Sequence, residues 1–168
     1  MKIKISGLKN GTHTYEFVSK SGTLELDEPL SGNFITHVVL NKNDNQIILD
    51  VSTRAEADFI CDRCSNEFKR DVESSYKMIY LLESVEHNED ELNITYLAPE
   101  TDKIDIANDV RDYIILSVPM KKLCKEDCKG LCIKCGKDLN TGPCDCKDDE
   151  IDDRWKSLSD LKSKLNTN

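Results

Sequence analysis

Six of the eight cysteines lie between Cys124 and Cys146 in the order C-x3-C-x3-C-x2-C-x8-C-x-C, and the other two, Cys61 and Cys64, form a separate C-x-x-C. Thiolates are soft ligands, and a C-x-x-C turn delivers two of them from one tight loop to a tetrahedral ion such as Zn²⁺. Cys132-Ile133-Lys134-Cys135-Gly136 is such a knuckle, with a glycine that lets the backbone turn sharply behind the second sulfur. Cys61-Asp62-Arg63-Cys64 is the second. The cysteine-rich run has too few apolar residues for a core of its own, so bound metal is the agent expected to hold it. Two partitions of the thiols are open. In one, Cys132, Cys135, Cys144 and Cys146 close a site past the Asn140-Thr141-Gly142-Pro143 turn, and Cys61, Cys64, Cys124 and Cys128 make another. In the other, the two knuckles share one ion as in a zinc ribbon. The spacing does not choose between them, nor between one zinc and two.

Other thiol chemistry fits less well. Disulfides belong to exported proteins, and nothing here suggests export. A redox C-x-x-C sits in a βαβ context, which is absent. An iron–sulfur cluster also takes four thiolates, but paired knuckles suit zinc better. A catalytic zinc keeps a position for water and often uses histidine, whereas His13, His37 and His87 show no ligand spacing. No G-x-S-x-G, H-E-x-x-H or phosphate-cradling glycine loop is present, so the chain does not read as an enzyme.

The elements that position these thiols read mostly as strands. Ile3 and Ile5 alternate; Asn10-Gly11 is a turn signal ahead of Tyr15, Phe17 and Val18; Leu24 and Leu26 alternate before Pro29; Phe34 to Leu40 and Ile47 to Val51 flank a polar turn. Ala55, Ala57 and Phe59 run into Cys61, and Tyr76, Met78, Tyr80 and Leu82 follow Cys64 at period two. The first knuckle is therefore expected at the turn between two long strands, in a sheet with one buried face. Short connections favour antiparallel pairing in an open barrel or sandwich. Asn93 to Leu97 is a further short strand. Asp105 is placed to cap a helix with Ile106, Val110, Tyr113, Ile114 and Ser117 on one side, ended by Pro119. A last helix carries Trp155, Leu158, Leu161 and Leu165 on one stripe. The expected class is α+β: mainly antiparallel β over 1–120, with an acidic loop and one helix, then a cysteine-rich zinc-binding segment over 121–168 with the C-terminal helix packed on it.

At 168 residues, 38% hydrophobic and 33% charged, the chain holds one modest core, and no stretch approaches the ~20 apolar residues of a membrane span. The amino-terminal residues alternate rather than forming an apolar run, and cytoplasmic placement is expected. The net charge of −9 has the wrong sign for a non-specific nucleic-acid coat. It is unevenly spread. Glu83, Glu86, Glu89, Asp90, Glu91, Glu100, Asp102 and Asp105 face one base, Lys103, over 83–105, whereas 121–147 holds seven lysines and four acids. Four thiolates on one Zn²⁺ leave two negative charges in excess, so much of the lysine charge offsets the metal centres. The alternative reading of the same region is a phosphate-contacting surface made by Arg63, Lys121, Lys122, Lys125, Lys129, Lys134 and Lys137.

Cys61-Asp62-Arg63-Cys64, Ile115-Leu116-Ser117-Val118-Pro119-Met120, Leu123 through Cys132, Cys135-Gly136-Lys137-Asp138-Leu139-Asn140 and Asp153-Arg154-Trp155 occur in this order. Over about residues 55–165 the chain resembles the YceD family of large ribosomal RNA subunit accumulation proteins. The resemblance implies a small cytoplasmic bacterial protein, metal-binding and RNA-binding, that supports accumulation or processing of 23S ribosomal RNA. Its implied partner is precursor 23S RNA or a pre-50S particle. A second function to weigh is an acidic adaptor that holds a basic ribosomal protein, motivated by the acidic run.

Overall fold

The computed structural model describes residues 1–24, 26–82, 94–98, 100–146, 154 and 158. The chain divides into two compact units, Met1–Glu126 and Asp127–Asn168.

In the first unit, β1 (Lys2–Lys4), β2 (Gly11–Lys20), β3 (Asn33–Lys42), β4 (Gln46–Ile60), β5 (Glu67–Leu81), β6 (Ile94–Tyr96) and β7 (Lys103–Asp105) precede a helix, α1 (Ala107–Leu116). Strands β2 to β6 form one sheet in chain order, and β1 pairs antiparallel with β7 in a second, two-stranded sheet. The five-stranded sheet ends at β2 and β6 and does not close into a barrel.

Period-two alternation gives this sheet its buried face. Phe34, Val38 and Leu40 of β3, Leu49, Val51, Ala55, Ala57 and Phe59 of β4, and Val72, Tyr76 and Tyr80 of β5 all point inward. The ladder carries these residues in register, with Val38 opposite Val51 and Val51 opposite Tyr76. Three buried polar residues share that face, Thr36, Thr53 and Ser74, the last opposite Thr53. Thr36 and Thr53 stand opposite each other and pair their hydroxyls at 3.0 Å. Helix α1 lays Val110 and Ile114 into the core, and its Tyr113 ring stacks on Tyr76 with centroids 4.2 Å apart. Asp105 accepts the Ala107 N–H at 3.1 Å, so it supports the helix start, from one position ahead of the terminal residue Ile106.

The structure departs from the sequence expectations at several points. Strand β6 runs parallel to β5. The premise of short connections fails there, because the twelve residues between Leu81 and Ile94 are enough for a crossover. Strand β1 leaves β2 for β7, so Asn10-Gly11 is not a hairpin turn between them; Gly11 instead opens β2 at φ 130°. Ser21–Leu24 is a 3₁₀ turn rather than part of a strand, and it still buries Leu24 and Leu26. One helix, α1, is found among the described residues. The expected C-terminal helix, with Trp155, Leu161 and Leu165, lies outside them, as do the acidic residues 83–91 with His87; Arg154 and Leu158 are exposed. No helix among the described residues is long and apolar enough to cross a membrane.

Candidate metal centres

All eight thiols fall into two sets of four, Cys61, Cys64, Cys124 and Cys128 in one and Cys132, Cys135, Cys144 and Cys146 in the other. Within each set the sulfurs lie within 4.8 Å of one another. This is the first of the two partitions open from the spacing; the zinc-ribbon pairing of the two knuckles does not occur.

The first knuckle is the tip of the β4–β5 hairpin. Its strands remain paired up to Ile60 opposite Glu67, and the Phe59 and Phe68 rings meet just below at 5.6 Å. At the tip the Cys61 N–H donates to Asn66 O at 2.9 Å and the Ser65 N–H donates back to Cys61 O at 2.9 Å. Ser65 has φ 58°, a left-handed conformation that closes the turn. Cys61 and Cys64 are both buried.

Cys124 comes to this tip through a clamp made by Asp62. The Asp62 N–H donates to Lys122 O at 2.8 Å, and its carboxylate accepts the Lys122 N–H at 2.6 Å. Arg70 adds a bond to Leu123 O at 3.0 Å while its guanidinium lies over the Phe68 ring. Three contacts thus fix the backbone from Lys122 to Leu123, and the next residue sets its sulfur 3.7 Å from Cys64 Sγ. The backbone N–H of Cys124 points at Cys61 and, against the opposing effect of burial, holds that thiol down to about 6.

In the second unit a short hairpin carries the other knuckle. Leu131 bridges Asp138, and the Leu139 N–H donates to Gly130 O at 2.9 Å. The tip repeats the first: Cys132 N–H to Lys137 O at 2.8 Å, Gly136 N–H to Cys132 O at 2.9 Å, and Gly136 at φ 73°. The N–H groups of Cys135 and Lys134 hold the Cys132 thiol down to about 6. Cys146 goes the other way, pushed up to about 12 by the Cys135 side chain and then by burial. One thiol that ionises readily beside one that resists is what a close cluster of like charges produces, and a cation removes the conflict. Cys135 is exposed, unlike either cysteine of the first knuckle.

Both sets fit a single tetrahedral ion. A Zn–S bond of ~2.3 Å implies a tetrahedron edge of ~3.8 Å. The 3.7 Å between Cys64 and Cys124 matches that edge and is far beyond a disulfide bond of ~2.05 Å. The thiolates of a cubane cluster bind four separate irons and stand farther apart than the ligands of one ion. Four thiolates also complete a tetrahedron, so neither set reserves a position for water.

The basic residues named from sequence have different settings. Arg63, Lys121, Lys125, Lys129 and Lys134 are exposed. Lys122 is half-buried, with its ammonium 5.8 Å from the centre of the Phe59 ring, and Lys137 donates to Pro143 O at 2.7 Å in the loop ahead of Cys144. His13 and His37 lie on strands and neither belongs to a thiol set; His37 pairs with Glu16 at 3.3 Å. Sequence reasoning missed three residues that build the sites: Asp62, Ser65 and Asn140, the last of which donates to Cys128 Sγ at 3.4 Å. Ser65 holds the place after the second knuckle cysteine that Gly136 holds in the other, and superimposing the two motifs would have found it.

The knuckles, the Leu123–Cys132 run and the closing cysteines all lie in the stretch that matches a family model. That model, described as Large ribosomal RNA subunit accumulation protein YceD, matches residues 49–162. The chain belongs to the YceD family. An Arabidopsis thaliana relative, Large ribosomal RNA subunit accumulation protein YCED homolog 1, chloroplastic, is 36% identical over 70 residues, which is 42% of this chain and 22% of the relative. The Zea mays protein of the same name is 42% identical over 66 residues, 38% of this chain and 21% of the relative. An uncharacterized protein of Mycobacterium bovis is 26% identical over 103 residues, 60% of this chain and 48% of the relative. The chain thus spans about a fifth of the length of the chloroplast relatives and about half of the mycobacterial one. No solved structure matches the chain.

Proposed function

We propose that this YceD protein is a non-enzymatic assembly factor of the bacterial cytoplasm that binds precursor 23S RNA or a pre-50S particle and supports 23S accumulation. Two structural Zn²⁺ ions, one per cysteine set, hold its cysteine-rich segment. The observation that carries the reading is the pair of closed four-thiol sites, in a chain whose family is named for accumulation of the large-subunit RNA. A site with four thiolate ligands organises backbone and leaves no position for a substrate or a catalytic water. RNA contact is assigned to Arg63, Lys121, Lys122, Lys125, Lys129, Lys134 and Lys137. Phosphate contacts of this kind weaken as salt rises. In a deletion strain the ratio of 23S to 16S RNA is expected to fall, and the tagged protein is expected to co-sediment with pre-50S material. An unchanged ratio would sink the proposal.

A second reading is an acidic adaptor for a basic ribosomal protein. The net charge of −9 favours it, as do the exposed apolar side chains of Leu116 and Met120 just after the core-facing turns of α1. Recovery of such a partner from nuclease-treated extract would support it; recovery of RNA-dependent partners alone would not.

A further inference from the structure

Asn140 lies in sequence among the ligands of the second set, between Cys135 and Cys144, yet its side chain serves the first. Its Nδ2 donates to Cys128 Sγ at 3.4 Å and to Asp138 Oδ1 at 2.7 Å. Its Oδ1 accepts the Lys129 N–H at 2.9 Å, and its own N–H donates to Asp138 Oδ1 at 2.8 Å. The amide has one workable orientation. Lys129 N–H is a donor and must meet the oxygen, and the Asp138 carboxylate is an acceptor and must meet the nitrogen. The nitrogen therefore faces the sulfur. Asn140 is half-buried and Cys128 is 2% exposed, so water competes little for this contact.

We propose that Asn140 is a positioning residue for the first metal centre: its amide N–H orients the Cys128 sulfur as a metal ligand, and its carbonyl fixes the backbone beside that cysteine. The proposal rests on the metal reading above. An N–H aimed at a ligating sulfur orients it and draws off some of the excess negative charge of a four-thiolate ion. The same amide holds Lys129, one residue from Cys128, so sulfur and backbone are set by one group. Asp138 in turn orients the amide, and Asp138 is the bridge partner of Leu131 in the hairpin that presents the second knuckle. Hairpin closure thereby places Asn140.

The test uses the full chain loaded with zinc, or with cobalt as the spectroscopic probe. Metal-protected cysteines are identified by alkylation and mass spectrometry during challenge with a chelator. In Asn140→Ala, Cys61, Cys64, Cys124 and Cys128 are expected to become reactive at about 10- to 100-fold lower chelator concentration, as loss of an outer hydrogen bond to a metal ligand typically produces. Cys132, Cys135, Cys144 and Cys146 keep their protection. The thiolate-to-cobalt charge-transfer band of the first site moves to longer wavelength, because a thiolate without its N–H donor holds its electrons less tightly. A purely structural role would not move that band. Equal protection of all eight thiols in the variant, with an unshifted band, overturns the proposal. If Asn140→Ala exposes both sets, Asn140→Gln, which keeps the amide but displaces it by one methylene, decides. Selective loss of the first set supports the proposal, and loss of both or of neither overturns it. Wild-type protein that takes up no metal, with all eight thiols reactive, would instead remove the metal reading itself.

Discussion

The β4–β5 hairpin and the hairpin of residues 129–140 end in the same turn, yet they stand on different foundations. In each, the first cysteine of the knuckle donates its N–H five residues on and accepts one from the residue four on, which sits in the left-handed region. Below the first tip run fifteen paired residues on each strand, their inward side chains in the sheet core. Below the second, among the described residues, there is one bridge, Leu131 to Asp138, with Leu131 exposed and no buried apolar cluster behind it. A hairpin with that little pairing is not stable alone in water. The first tip is a sheet-backed support onto which a metal could be added, whereas on the metal reading proposed above the second would depend on its ion to hold its turn. The same turn would thus add ligands to an existing fold in one place and help make the fold in the other.

The largest expected break in this comparison is metal removal. Structural thiolate sites contribute apparent folding energies of about 10–16 kcal/mol. Under a strong chelator, amide exchange protection over 128–146 should collapse, while β3, β4 and β5 keep theirs. Parallel loss of protection in both regions would show that the sheet also depends on metal.

A smaller effect separates the two foundations directly. Phe59 lies under the first knuckle, 3% exposed and against Phe68, so Phe59→Ala should cost about 3–5 kcal/mol in denaturant unfolding of the sheet. Leu131→Ala, one residue ahead of the second knuckle where Ile60 stands in the first, and 37% exposed, should cost less than about 1 kcal/mol. Similar losses would mean that the second hairpin has a core of its own.

The smallest effect is at the turn. Ser65 and Gly136 occupy the same left-handed position at φ 58° and 73°. A side chain there costs about 1 kcal/mol. Ser65→Gly should therefore raise stability by up to about 1 kcal/mol, and Gly136→Ser should speed metal loss from the second set. A destabilised Ser65→Gly variant would indicate that the serine hydroxyl contributes more than its backbone costs.

Much of the first unit was legible in the sequence because strand burial is local. Phe34 to Leu40, Ile47 to Val51 and Tyr76 to Tyr80 alternate, and a period of two fixes which side chains face inward whatever the neighbours are. Ile106, Val110 and Ile114 recur every four residues and mark α1 in the same way. What misled was distance along the chain. Leu24 and Leu26 alternate like a strand but sit at and just beyond a 3₁₀ turn, and the parallel placement of β6 depends on where a twelve-residue connection returns. Asn140 looked like one residue of an Asn-Thr-Gly-Pro turn because its partners, Lys129 and Cys128, lie eleven and twelve positions away.

The sequence by itself determined that there are two knuckles, that each would turn tightly, and that eight reduced thiols suit a tetrahedral soft-ligand ion. Those properties follow from residue type and from spacings of a few residues. The division of the eight thiols into two sets was decided only by the tertiary structure. Cys64 and Cys124 are sixty residues apart in the chain, and the Asp62 clamp on Lys122 helps bring them to 3.7 Å. Spacing limits which thiols can meet, but hydrogen bonds between distant segments select the ones that do.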